Sequence, residues 1–220
     1  LSAAQKQPVP STVIWLDDTV HMNPNRLKWA PLKPGFGATV NHFGPELAFG
    51  RRIRSEWPSQ PVAIIKVAEG GTSLHTDWTA RQGRLYKRLI RDVTQQLGAL
   101  ERKWNPEVVG MAWMQGESDS GPGAAGAYEQ NLTDFMNAVR QDLNLPNLPT
   151  TIGLIAPIPL WQKHKTVRAA QKKVAASIGH ANTVDTAGYS RREPNDPAHY
   201  DAQGQLRLGK AFAEALLKLQ

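Results

Sequence analysis

Short apolar runs and amphipathic stretches alternate along the chain from Gly44 onward. Pro45 at a first-turn position, followed by Leu47, Phe49 and Ile53, predicts a short helix ending before Pro58. Val62 to Ala68 is an apolar run with one Lys, bounded by Pro61 and Gly70-Gly71, and predicts a strand buried on both faces. Leu85, Leu89, Val93, Leu97, Leu100 and Trp104 then recur at three- and four-residue spacing with Arg and Lys between them, which predicts a long helix whose apolar stripe covers a sheet. Val108 to Met114 reads as the next strand, and Tyr128, Leu132, Phe135, Met136, Val139 and Leu143 mark another helix. A third strand at Thr151 to Ala156, a helix around Val167 to Ile178, a short strand at Thr183-Val184 and a closing helix with Leu208, Phe212, Leu216 and Leu219 complete the series. The first forty residues are irregular, with prolines around one strand-like run, Thr12 to Leu16.

Strands alternating with helices of this length require a parallel sheet with crossover helices, so the fold class is α/β, a three-layer α/β/α sandwich. The 220 residues, 40% hydrophobic and 20% charged, suit a single domain spanning 1–220, since a chain of this size buries roughly 70% of its unfolded surface. Cysteine is absent, which excludes disulfides, thiol nucleophiles and Cys-type zinc sites. The 26 Lys+Arg exceed the 19 Asp+Glu, giving a net charge of +7, but the cations alternate with apolar residues instead of forming a tract. That pattern describes solvated helix faces better than a nucleic-acid surface, and attraction to an acidic polysaccharide or a membrane surface ranks above nucleic acid. No stretch approaches the roughly 20 apolar residues of a membrane-spanning helix.

In a parallel α/β sheet the chemistry collects where strands end and loops begin. Three segments lie at such places: Glu69-Gly70-Gly71-Thr72-Ser73, Gln115-Gly116-Glu117-Ser118-Asp119 and Asp196-Pro197-Ala198-His199. In the last, an aspartate three residues before a histidine can accept its Nδ1 proton across a tight turn at Pro197, leaving Nε2 to take a proton from a hydroxyl. The competing reading makes Asp196 and Asp201 turn formers and caps before the final helix. Gly70-Gly71 leaves backbone N–H groups open to a developing oxyanion, against a plain strand-to-helix turn as the alternative. Ser73 is a nucleophile candidate outside any Gly-x-Ser-x-Gly elbow. The Gln115 amide is a natural oxyanion donor, and Glu117 and Asp119 can orient a histidine or cap the next helix. A carboxylate pair without an accompanying histidine falls short of a metal signature.

Together and in this order, these segments resemble the SGNH hydrolases and, within them, the family-six carbohydrate esterases, the sialate O-acetylesterase-like acetylesterases. The resemblance rests on Gly44-Pro45-Glu46-Leu47-Ala48-Phe49, Ala68-Glu69-Gly70-Gly71-Thr72-Ser73-Leu74 with Trp78, Trp113-Met114-Gln115-Gly116-Glu117-Ser118-Asp119 with Tyr128, and Asp196-Pro197-Ala198-His199-Tyr200. It implies a flavodoxin-like sheet and a serine-type carbohydrate acetylesterase, deacetylating xylan-like oligosaccharides or sialic acid through an acyl-enzyme and without cofactor or metal. His199 would be the general base, Asp196 its orienting carboxylate, Gly71 and Gln115 the oxyanion donors, and Glu117 an auxiliary carboxylate. Trp78 would stack on a sugar ring, with core packing as its alternative. Such substrates place the protein in the periplasm or outside the cell. The rival function is a non-catalytic carbohydrate-binding relative that has lost the nucleophile.

The resembling family carries its serine in a Gly-Gln-Ser-Asn segment directly after an internal first strand, and residues 1–220 hold no such segment. Ser2 stands closest to that place but has neither the strand nor the flanking glycine and asparagine. Without that strand, the strands at Val62 and Val108 would flank a slot of unpaired backbone groups, each costing about 1–3 kcal/mol if buried and unsatisfied. The expectation is therefore an upstream segment of roughly 15–30 residues, on this chain or as a companion peptide, that supplies both strand and serine.

Overall fold

The apolar run after Pro10 becomes the centre of a sheet. In the computed structural model, which describes residues 1–18 and 20–220, β1 (Thr12–Asp17) runs parallel to β3 (Val62–Val67), with Thr12 opposite Val62 and Asp17 opposite Val67. On its other side β1 pairs antiparallel with the short β2 (Trp29–Pro31), giving the order β2-β1-β3. The N-terminal stretch is thus less irregular than its prolines suggest. Pro8 and Pro10 precede the strand, and Pro31 sits on the edge strand, where a missing N–H is tolerated. Helix α1 (Ala3–Lys6) is too short to hold itself. A capping box between Ser2 and Gln5 opens it, and Arg51 donates to the carbonyls of Ala4, Gln5 and Gln7 at its end.

Helix α2 (Glu46–Glu56) crosses over to β3 and buries Leu47, Gly50 and Ile53. It packs on α6 (Ala202–Leu217), where a Cβ on Gly209 would stand 2.0 Å from the Pro45 carbonyl, so only glycine permits this approach. Ile14, Leu16, Leu32, Phe36, Leu47 and Val9 form the core of this unit, which comprises Leu1–Glu69 and Gly188–Leu217. Its last sheet is a hairpin of β7 (Arg191–Arg192) and β8 (Asp196–Tyr200). Strand β3 corrects the expectation of burial on both faces. It closes one edge of its sheet and is half-buried, with Ala63 exposed.

The second unit comprises Gly70–Ala187 and Lys218–Gln220. Its sheet is wholly parallel in the order β4 (Met111–Met114), β5 (Thr150–Leu154), β6 (Ala181–Asp185). Helices α4 (Tyr128–Asp142) and α5 (His164–Ser177) supply the two crossovers that parallel neighbours need. Helix α5 lies on β5 and β6 and packs against α4, which makes the mixed α/β class expected from the alternation. Helix α3 (Arg84–Glu101) joins them through Tyr86, whose hydroxyl donates to Asp142 at 2.6 Å. Its stripe is less buried than its periodicity suggests. Leu85 and Tyr86 are fully buried, Leu89, Val93, Leu97 and Leu100 are half-buried, and Trp104 is 61% exposed.

Candidate functional site

In the first unit the β7–β8 hairpin carries an acid–base pair. Arg192 pairs with Asp196 and Arg191 with Tyr200, so Pro197, Ala198 and His199 bulge out between two adjacent rungs. In a regular strand, residues three apart project to opposite faces. The bulge cancels that alternation and brings His199 Nδ1 to 2.7 Å from Asp196 Oδ1 and 2.9 Å from Oδ2. The segment is therefore a bulged strand and not the tight turn expected at Pro197. The hydrogen bond from His199, with the nearby charges of His199 and Arg192, holds the Asp196 carboxyl below its ordinary range. With Nδ1 so engaged, Nε2 is left to meet a hydroxyl. The imidazole is largely exposed, at 70% of its side-chain surface. The capping role falls to Asp201 instead, whose Oδ1 accepts from Gly204 N–H at 2.8 Å and from the Ser190 hydroxyl at 2.7 Å.

In the second unit the Gly70–His75 loop and the loop after β4 close on Asp119, which has no exposed surface. Its Oδ1 accepts from Ser73 Oγ (2.8 Å) and His75 N–H (3.0 Å), and its Oδ2 from Leu74 N–H (2.8 Å) and Gln115 Nε2 (2.6 Å). Gln115 Nε2 donates also to the Thr72 carbonyl at 3.1 Å. Both neighbours are acceptors, which fixes the amide's orientation, and both of its hydrogens are engaged inside the loop. Gly71 is exposed at φ +73°, a conformation glycine adopts without strain, with open space where a Cβ would be. Gly116 has φ +140°, and a Cβ there would stand 2.8 Å from Val167 Cγ1. Burial pushes the Tyr128 phenol up, and it donates to the Gln115 carbonyl at 2.7 Å. Glu117 is half-buried and opens the 3₁₀ turn Ser118–Ser120, its carbonyl accepting from Ser120.

A family model described as carbohydrate esterase, sialic acid-specific acetylesterase, matches residues 3–218. The chain belongs to this family. A probable carbohydrate esterase of Arabidopsis thaliana is 29% identical over 177 residues, 79% of this chain, and the chain spans 63% of that relative's length. The X-ray structure of that Arabidopsis protein superposes with a TM-score of 0.79 at 25% identity, covering 99% of this chain and 85% of its own. A carbohydrate acetylesterase from Xanthomonas citri shares the fold, with a TM-score of 0.68 at 15% identity over 98% of this chain and 51% of its own.

Within this member of the carbohydrate esterase family, three sequence candidates take structural places. Trp78 is 4% exposed, donates its indole N–H to Thr72 Oγ1 at 3.0 Å and packs edge-on against Trp113 and Phe135. Of the two readings open for it, sugar platform or core, the structure places Trp78 in the core. Ser73 gives its hydroxyl proton to Asp119, and the neighbouring His75 meets it through backbone N–H and not through its ring. Ser2 is the cap of α1.

Two carboxylates carry more structure than their sequence positions announced. Asp119 was one of several acidic residues in a polar loop, and nothing local shows that it gathers the preceding loop. Asp18 has the same spacing to His21 as Asp196 has to His199, a signal open to sequence reading. Here the carboxylate is spent on the N–H groups of Val20, His21 and Asn23, with His21 Nδ1 farther off at 3.5 Å. Asn23 extends this order by donating to the carbonyls of Gly35 and Gly37.

Proposed function

We propose that this carbohydrate esterase family member removes O-acetyl groups from sugars, xylan-like oligosaccharides or sialic acid, by a Ser-His-Asp acyl-enzyme mechanism. The observation that carries the reading is the His199–Asp196 pair, with Nδ1 held at 2.7 Å. His199 Nε2 takes the serine proton as the hydroxyl attacks the acetyl carbonyl. It returns that proton to the sugar oxygen as the ester bond breaks, and then activates the water that releases acetate. Gly71 N–H and the Gln115 amide receive the oxyanion in both steps, and Glu117 serves as an auxiliary carboxylate. The nucleophile belongs to a segment outside residues 1–220, which also adds a strand. Support for that comes from the edge positions of β3 and β4 in their sheets and from the structural duties of Ser2 and Ser73. Polymeric acetylated substrates agree with a periplasmic or secreted enzyme.

The test is acetate release from p-nitrophenyl acetate and from acetylated xylo-oligosaccharides by the full-length protein. His199→Ala should lower kcat by roughly 10²–10⁴-fold. A folded wild-type protein that binds acetylated sugar but turns over neither substrate would replace this reading with that of a binding relative.

A further inference from the structure

We propose that Asp119 is the positioning residue of the oxyanion-donor loops: it holds the Gln115 amide plane by one hydrogen and leaves the Thr72-facing hydrogen as the one an oxyanion can take over from the Thr72 carbonyl. The inference rests on the acetylesterase reading above and concerns residues of one compact unit only. A carboxylate with no exposed surface must be compensated, and Asp119 is compensated completely. Four donors, the hydroxyl of Ser73, the N–H groups of Leu74 and His75 and the amide of Gln115, occupy its two oxygens, about the number of lone-pair sites a carboxylate offers.

Those donors come from the two segments that contain the proposed oxyanion groups. Ser73, Leu74 and His75 follow Gly71 directly, so the carboxylate anchors the end of the loop on which the Gly71 N–H is displayed. Gln115 lies four residues before Asp119, and the 3₁₀ turn Ser118–Ser120 that contains Asp119 folds the carboxylate back onto its amide. The other end of Gln115 is pinned as well, because its carbonyl accepts from Tyr128 Oη at 2.7 Å and Gln171 Nε2 at 2.9 Å. Gly116 lets the chain turn there without a Cβ. The two hydrogen bonds of the Gln115 amide are unequal. The bond to Asp119 is short and charge-assisted at 2.6 Å, whereas the one to the Thr72 carbonyl is 3.1 Å and neutral. A developing oxyanion therefore competes with Thr72 for its hydrogen, and the stronger bond keeps the amide in plane.

Asparagine at 119 keeps the shape and halves the acceptors, turning an NH₂ toward N–H and O–H donors. Asp77 supplies the control. It braces the same loop by accepting from Ser73 N–H at 3.0 Å and binds Arg84, whereas the Gln115 amide bonds to Asp119 and the Thr72 carbonyl. In the full-length protein, Asp119→Asn should lower kcat for p-nitrophenyl acetate by about 10- to 100-fold with KM within twofold. Asp77→Asn should lower the melting temperature and keep kcat within about threefold. Equal kcat losses in the two variants, or an unchanged kcat in Asp119→Asn, overturn the proposal.

A second measurement needs no variant and decides the case should Asp119→Asn fail to fold. The Gln115 side-chain amide is followed by nitrogen-resolved NMR before and after the wild-type serine is labelled with an alkylphosphonate ester, a mimic of the tetrahedral intermediate. The Asp119-bonded proton should stay downfield while the Thr72-facing proton moves. Movement of the Asp119-bonded proton, or of neither proton, refutes the assignment. Absence of both labelling and turnover in the wild type would instead refute the acetylesterase reading itself.

Discussion

Arg192 places Nη1 3.4 Å from Oδ2 of Asp196, so one carboxylate faces a guanidinium and an imidazole together. The hydrogen bond from His199 is the larger cause of the lowered Asp196 pKa, and Arg192 adds to it. A carboxylate lowered in this way stays ionised further into acid. Arg192→Ala should therefore move the Asp196 titration upward, toward the ordinary carboxylate value, and shift the acid limb of activity to higher pH. A carbon-detected NMR titration of Asp196 reads this directly, and coincident curves for variant and wild type would count against any influence of Arg192.

Burial alone would raise the Asp18 pKa, but the backbone N–H groups of His21, Asn23 and Val20 and the charge of His21 overcome it and hold the group low. A carboxylate lowered by folding adds stability above its unfolded pKa and loses it as pH falls through the folded value. Asp18→Asn should thus cost about 1–3 kcal/mol at neutral pH and flatten the acid arm of the stability profile. Urea melts between pH 2 and 7 supply the comparison.

Lys66 on β3 donates to the Phe36 carbonyl at 2.7 Å and to Glu46 Oε2 at 2.9 Å, while Gly44 N–H donates to Glu46 Oε1. The Glu46 side chain is 5% exposed. Lys66→Ala strands that carboxylate beside one remaining donor and should destabilise by about 2–4 kcal/mol. Replacing both partners together, as Glu46→Leu with Lys66→Met, should cost less than Lys66→Ala alone. Denaturant titration of the three proteins distinguishes a compensated pair from two independent contributions.

Two glycines with positive φ should respond differently to alanine. At Gly71 a Cβ meets open space, so the cost is that of a left-handed alanine, about 1 kcal/mol. At Gly116 the same backbone problem is joined by contact with Val167, Ile155 and the Tyr128 hydroxyl, and the loss should exceed about 2 kcal/mol. Melting temperatures of Gly71→Ala and Gly116→Ala should therefore separate clearly, with Gly116→Ala lower.

Trp78→Phe removes the indole hydrogen bond to Thr72 and some volume, which should lower stability by about 1–2 kcal/mol without altering KM for acetylated oligosaccharides. A selective rise in KM for the oligosaccharides would return Trp78 to the substrate surface.

Helices and parallel strands were legible because their apolar spacing is sustained. Tyr128 through Val139 keeps one face along α4, and Ile152 and Leu154 lie in a fully buried strand in the middle of its sheet. The hairpin that carries His199 has no sequence signal of its own, since Asp-Pro is turn chemistry in isolation and two-residue β7 has no period to detect. Trp78 shows where two readings stay open in the sequence. An indole next to a glycine loop has the composition of a sugar platform, and only its long-range contacts with Trp113 and Phe135 place it inside. Asp119 was visible as a charge but not as a hub, because its donors at 73–75 lie more than forty residues away.

Strands β3 and β4 each end a sheet, and their sequences, Val-Ala-Ile-Ile-Lys-Val and Met-Ala-Trp-Met, combine β-prone apolar residues with a single charge. An edge of that kind is a template for adding any extended peptide. Residues 1–220 produced alone should accordingly precipitate or form β-rich oligomers as concentration rises, in spite of a net charge of +7. Aggregation that persists at low ionic strength, where that charge is least screened, would assign it to backbone amides at the sheet edges.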